Sequence, residues 1–134
     1  MKLISRNTDY AVRAVCYMAR KNKDTVSAYE LVKTLKIPRP FLRKILQALH
    51  KKGLLESYKG VGGGFRLARK PGKIYLVDLI EVFQGPIKLN ECLFKKEICP
   101  NQRSCFLKRK IDAIEDYVIL ELKKITVESV IKGK

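Results

Sequence analysis

Between two short runs of strand-forming residues lies Lys59-Gly60-Val61-Gly62-Gly63-Gly64-Phe65, a stretch that few folds can use. Glycine suits the tight turn of a reversal and lets the backbone approach a phosphate or a groove floor without Cβ interference. Glycines in succession weaken a strand, so they mark a turn. Leu54-Leu-Glu-Ser-Tyr58 before them and Phe65-Arg-Leu-Ala-Arg69 after them suit strands, and the spacing predicts a β-hairpin. Nucleotide-binding readings are set aside. G-x-G-x-x-G opening a helix is missing, and no Gly-Lys-Ser/Thr ends a phosphate loop. A wing laid on a nucleic-acid backbone or minor groove fits better.

Three helices precede the hairpin. Residues 8–21 carry Ala11, Ala14, Val15 and Met18 on one face, with Thr8 as the expected cap and Asp9 in the first turn. Cys16 beside that stripe reads as a small buried residue. Ser27-Ala-Tyr-Glu30 spells a capping box opening a helix at about 28–34. Leu35-Lys-Ile37-Pro38 breaks the pattern, and Pro40 suits the first turn of a new helix. Leu42, Ile45, Leu46 and Leu49 mark its buried face, and Gly53 ends it. Two helices joined by a tight turn and followed by a hairpin predict a winged helix-turn-helix.

In such units the start of the second helix meets base edges. Here that start is Arg39-Pro40-Phe41-Leu42-Arg43-Lys44, with Arg39, Arg43 and Lys44 off the apolar stripe. Arginine can grip guanine O6 and N7 together. The expected nucleic-acid contacts are Arg39, Pro40, Phe41, Arg43 and Lys44 on the helix. On the wing they are Lys59, Gly60, Gly62, Gly63, Gly64 and Arg66. His50 falls in the same helix and reads as a surface residue. Charge supports a polyanionic partner. Of a net +16, residues 1–75 contribute 18 lysines and arginines against 4 acids, whereas residues 76–134 hold 11 against 9.

The second half reads differently. A short helix at 76–84 stops at Gly85-Pro86, and an irregular segment runs over 86–104. A long helix at about 105–124 follows, with Leu107, Ile111, Ile114, Val118, Leu122 and Ile125 in one stripe and Ala113, Tyr117 and Leu120 beside it. That surface exceeds what a small winged domain covers, so a homodimer through Leu107, Ile111, Ile114, Val118 and Leu122 is expected. Asp112, Glu115 and Asp116 read as a solvated face. Thr126 is the expected cap of a last helix at 127–131. The fold expected is mainly α with a small β-hairpin: a winged helix-turn-helix domain (1–85), then a loop and dimerisation helix (86–134).

Three of four cysteines crowd into Cys92-x6-Cys99-x5-Cys105. The N-terminus lacks the apolar stretch of a secretory signal, and no run approaches the ~20 residues of a membrane span. The expected setting is the cytoplasm, where clustered thiols bind metal or do redox work more often than they pair. Three thiolates can hold zinc or an iron–sulfur cluster, with one place left open. With a single histidine there is no Ser/His/Asp or Cys/His set, so no enzyme is expected.

Taken together, the capping box, the helix pair, the Lys59–Phe65 wing, the cysteine trio and the long last helix resemble the winged-helix iron–sulfur regulators of the IscR/NsrR type. The resemblance implies a homodimer holding a 4Fe–4S or 2Fe–2S cluster on Cys92, Cys99 and Cys105. It implies a repressor on a double-stranded DNA operator that senses nitric oxide, redox or iron–sulfur status. Two departures stand out. The first cysteine gap is six residues where the family usually has five, and Lys108 stands where IscR-like members carry a histidine ligand. Thr8-Asp9-Tyr10 matches the Thr-Asp-hydrophobic motif of NsrR-like members, so Asp9 is the implied fourth ligand, reaching the partner subunit's cluster. The alternatives are a cluster-free or zinc-binding member of the same family, or a basic RNA-binding zinc protein.

Overall fold

The computed structural model describes residues 3–21, 25–89 and 106–133. Helices α1 (Arg6–Lys21), α2 (Ala28–Leu35) and α3 (Arg39–Lys51) come first, then strands β1 (Leu55–Tyr58) and β2 (Gly64–Leu67). A 3-10 turn at Pro71–Lys73 leads to α4 (Leu76–Gln84), and α5 (Phe106–Leu122) and α6 (Val127–Lys132) close the chain. The fold is mainly helical with one antiparallel hairpin, as expected.

The stripes read from the sequence form the first core. Ala11, Ala14, Val15 and Met18 of α1 meet Leu31 of α2 and Leu42, Ile45, Leu46 and Leu49 of α3. Burying a side chain of this size stabilises the fold by roughly 1.5–3 kcal/mol. The turn between α2 and α3 is tight because Lys36 adopts the left-handed region (φ 56°), its N–H returning to the Val32 carbonyl. That conformation costs a non-glycine residue about 1–2 kcal/mol. Ile37, only 1% exposed, is thereby plugged into the core.

Two caps differ from expectation. Helix α1 begins at Arg6, and Ser5 rather than Thr8 caps it, its Oγ accepting from the Thr8 N–H at 3.2 Å. Thr8 is fully buried and donates its hydroxyl to Gln84 Oε1 at 2.8 Å, tying α1 to the end of α4. At α2, Ser27 Oγ accepts from the Glu30 N–H at 3.0 Å as expected. The Glu30 carboxylate instead accepts from the Tyr17 hydroxyl and pairs with Lys21 of α1.

The wing is anchored to the helical body. Its strands pair Leu55 with Leu67 through Tyr58 with Gly64. A further rung comes from Val26 in the α1–α2 linker, which exchanges backbone hydrogen bonds with Phe65 at 2.8 and 2.9 Å. Gly64 makes this crossing possible. Its φ is 154°, and a Cβ there would stand 2.5 Å from the Val26 carbonyl oxygen. Gly64→Ala is therefore expected to lower stability by about 1–3 kcal/mol. The fully exposed tip residue offers a control: Val61→Ala should change it by less than about 0.5 kcal/mol. Urea unfolding of both variants checks this.

The last helix shares the core of the first. Val127 of α6 is buried beside α1, and Ile131 packs against the same cluster. The 3-10 turn, α4 and α6 are laced by Leu76 N–H to Ile125 O (2.9 Å) and Val127 N–H to Ile74 O (2.8 Å). Thr126 caps α6, as expected, accepting from the Ser129 N–H at 3.0 Å. A second, smaller core joins Val77 and Ile80 of α4, Ile87, and Leu122 of α5, with Val118 and Ile119 against it. Glu115 corrects the solvated reading. It is only 8% exposed. Its Oε2 accepts from the Leu89 N–H at 3.0 Å, and its Oε1 lies 3.5 Å from Lys88 Nζ. Among the described residues, no helix is long and apolar enough to cross a membrane.

Candidate nucleic-acid interface

Helix α3 turns its buried stripe inward, and at 100° per residue the opposite side presents Pro40, Arg43, Lys44, Gln47 and Lys51. All five are exposed, as are Arg39 and Phe41 at the helix start. The helix contains no acid. Among the described residues, no ion pair engages Arg39, Arg43, Lys44 or Lys51. A cationic face left without carboxylates keeps its full field for an incoming polyanion. Pro38 and Pro40 supply the start of the helix without a side-chain cap. Proline there fixes φ and forgoes an amide hydrogen that the first turn would leave without an intrahelical partner.

The wing follows α3, and its first strand packs against that helix. Gly60 (φ 93°) and Gly62 (φ 78°) carry the reversal, and the tip is held by the Thr25 hydroxyl donating to the Gly62 carbonyl at 2.8 Å. Lys59 is exposed at the turn. Arg66, expected among the nucleic-acid contacts of the wing, is already engaged within the hairpin. Directly opposite Glu56 in the register, it places Nε 3.1 Å from Glu56 Oε2 and its guanidinium 4.8 Å from the centre of the Tyr58 ring. The Tyr58 hydroxyl donates to the same carboxylate oxygen at 2.6 Å. That hydrogen bond, with Arg66 second, holds the Glu56 carboxyl below the usual range, and it raises the Tyr58 hydroxyl above its own. The trio stiffens the hairpin, and Lys59 is the wing cation without a carboxylate among the described residues. His50 is exposed, as read, and its Nδ1–H donates to the Leu55 carbonyl at 3.0 Å, joining α3 to β1.

The expected metal ligands divide. Cys92, Cys99 and Cys105 lie outside the described residues. Asp9 lies in the first turn of α1, half exposed, with its carboxylate 3.1 Å from Arg13 Nη2. Cys16 is buried as expected, and burial pushes its thiol up, away from the thiolate a metal needs. Among the described residues, no three His, Cys, Asp or Glu side chains come together. The chain enters the cysteine segment from Ile87 in the second core and Leu89 on Glu115. It is described again from Phe106, the residue after Cys105.

The stripe expected on α5 also divides. Leu122 is buried in its own chain, with Val118 packed beside it and Ile111 half-buried. Leu107 and Ile114 point to solvent together with Phe106, Tyr117 and Leu120, each more than half exposed. One arc of α5 covers α4, and another carries large apolar side chains without cover in this chain.

A tight helix pair, a carboxylate-free cationic second helix and an anchored glycine wing define a winged helix-turn-helix DNA-binding protein. The pattern of the Rrf2 family, described as iron-dependent transcriptional regulators, matches residues 4–133. An Aquifex aeolicus protein named as an HTH-type transcriptional regulator is 34% identical over 131 residues, covering 96% of this chain and 91% of its own length. The NsrR regulator of Bacillus subtilis is 26% identical, covering 100% and 92%. Among solved structures, CymR, the global cysteine regulator of B. subtilis, superposes with a TM-score of 0.83 at 26% identity, covering 100% of this chain and 99% of its own. IscR of T. potens superposes with a TM-score of 0.69 at 26% identity, covering 99% and 88%. The chain belongs to the Rrf2 family of transcriptional regulators.

Proposed function

We propose that this protein is a cytoplasmic, homodimeric repressor whose grip on a two-fold symmetric operator is controlled by an iron–sulfur cluster on Cys92, Cys99 and Cys105. The observation that carries the DNA half is the exposed face of α3, whose cations have no carboxylate partner among the described residues. The donor set supports the cluster half. Three soft thiolates within one short segment suit iron–sulfur chemistry, and the spacing is looser than the C-x2–4-C pairs zinc prefers. Such a cluster supplies iron–thiolate bonds that oxidants, nitric oxide or iron shortage can break. Asp9 is the proposed fourth ligand, offered to the partner subunit's cluster from the first turn of α1. The bond from Leu89 to Glu115 gives the cysteine segment a fixed root on α5, so its rearrangement would bear on the helix proposed to join the two subunits.

In this reading two α3 helices enter successive major grooves, with half-sites about one helical turn apart. Base and phosphate contacts separate on mutation. Arg43→Ala is expected to weaken binding to the cognate operator by about 1–3 kcal/mol and binding to random duplex far less. Lys59→Ala should weaken both alike and flatten the salt dependence by about one unit. Fluorescence anisotropy across a salt series, with cluster-loaded and cluster-free protein, tests the whole reading. Equal affinity of both forms for every duplex would leave a DNA binder without cluster control.

A further inference from the structure

Gln47 stands at the centre of the outward face of α3, one turn after Arg43. We infer that Gln47 reads an adenine in the operator half-site and so sets base preference beside Arg43. The inference rests on the DNA-binding reading above and deepens it.

Three observations carry it. The buried stripe of Leu42, Ile45, Leu46 and Leu49 fixes the rotation of the helix, and Gln47 falls opposite it, flanked by Pro40, Arg43, Lys44 and Lys51. Gln47 is exposed, and its amide makes no side-chain hydrogen bond to the described residues. Every other polar side chain in that central group is a cation, which donates only. Gln47 alone there offers a donor and an acceptor in one planar group. Adenine presents the complement in the major groove, N7 accepting and N6–H donating, and glutamine can pair with both. Guanine presents two acceptors on that edge, so the amide satisfies only half of what it offers there.

Spacing makes the pair of readers compatible. Residues four apart on a helix are separated by about 6 Å of rise. Stacked base pairs are about 3.4 Å apart. Arg43 and Gln47 therefore address positions about one to two base pairs apart on one groove floor, Arg43 taking guanine and Gln47 adenine.

The test is selection of half-sites from a randomised duplex pool by the full-length, anaerobically prepared protein and by Gln47→Ala, Gln47→Lys and Arg43→Ala. Wild type is expected to enrich an adenine within about two base pairs of a guanine that disappears with Arg43→Ala. Gln47→Ala should lose that adenine alone, about tenfold or more in discrimination, with the remaining positions kept. Gln47→Lys should retain overall affinity through added charge and still lose the adenine. Identical enriched sites for wild type and both Gln47 variants would overturn the inference while leaving the DNA-binding reading standing. No enriched sequence for wild type would remove both.

Discussion

Protein prepared without oxygen is expected to carry iron and sulfide, and alanine at Cys92, Cys99 or Cys105 to remove nearly all of both. The size of the effect follows from ligand count. A cluster held through three thiolates loses a third of its protein sulfur anchors with each substitution, and the iron left open is exposed to water and oxidant. Iron and sulfide analysis with visible absorption reads the outcome directly. Cys16→Ala is the internal control, because that thiol is buried in the α1 core and should leave the iron content unchanged. Asp9→Ala should give a third pattern: cluster present, spectrum shifted, decay in air faster. A triple cysteine variant that keeps its iron would place the metal elsewhere, and unchanged spectrum and decay in Asp9→Ala would leave Asp9 with its Arg13 pairing alone.

The second large effect is expected at α5. Ile114→Lys should give monomers in sedimentation and reduce operator affinity by about two to four orders of magnitude. Two linked recognition helices gain effective concentration for the second half-site, and a monomer forfeits it. Ile114 is the informative position because it is already exposed in the single chain, so a lysine there leaves the two cores intact. Leu122→Lys would confound assembly with folding, since Leu122 fills the second core. Circular dichroism should therefore be unchanged for Ile114→Lys. A variant that still sediments as a dimer would move the interface to another surface.

What the sequence showed well was local. Helix α4 was expected at 76–84 and is found at Leu76–Gln84, because Pro71-Gly72 and Gly85-Pro86 punctuate it on both sides. The stripes of α1 and α3 are buried residue for residue, since a 3.6-residue period reports one face whatever covers it. What was misread depends on partners far along the chain. Thr8 precedes an apolar run and so reads as a cap, yet its hydroxyl is claimed by Gln84 from another helix. Glu115 sits among charged neighbours and reads as solvated, but Lys88 and Leu89 fold over it from the far side of the cysteine segment. The Val26 rung is a single residue with no period to detect. Arg66 was within reach of sequence reasoning: once the hairpin is in register, Glu56 faces it. Gln47 carries no charge to single it out in the sequence, although its place on the exposed face follows from the buried stripe of Leu42, Ile45, Leu46 and Leu49.

The return of α6 to α1 bears on modularity. The sequence suggests a DNA-binding half that ends near residue 85, and a fragment cut there would keep α1, α2, α3 and the β1–β2 hairpin. It would lack Val127 beside α1, Leu122 against α4, and the backbone partners of Ile74 and Leu76. The reader head is thus completed by the tail, and the chain works as a closed loop of structure rather than a string of exchangeable parts. Grafting this wing and recognition helix onto another sensor would require carrying residues 122–132 along with them.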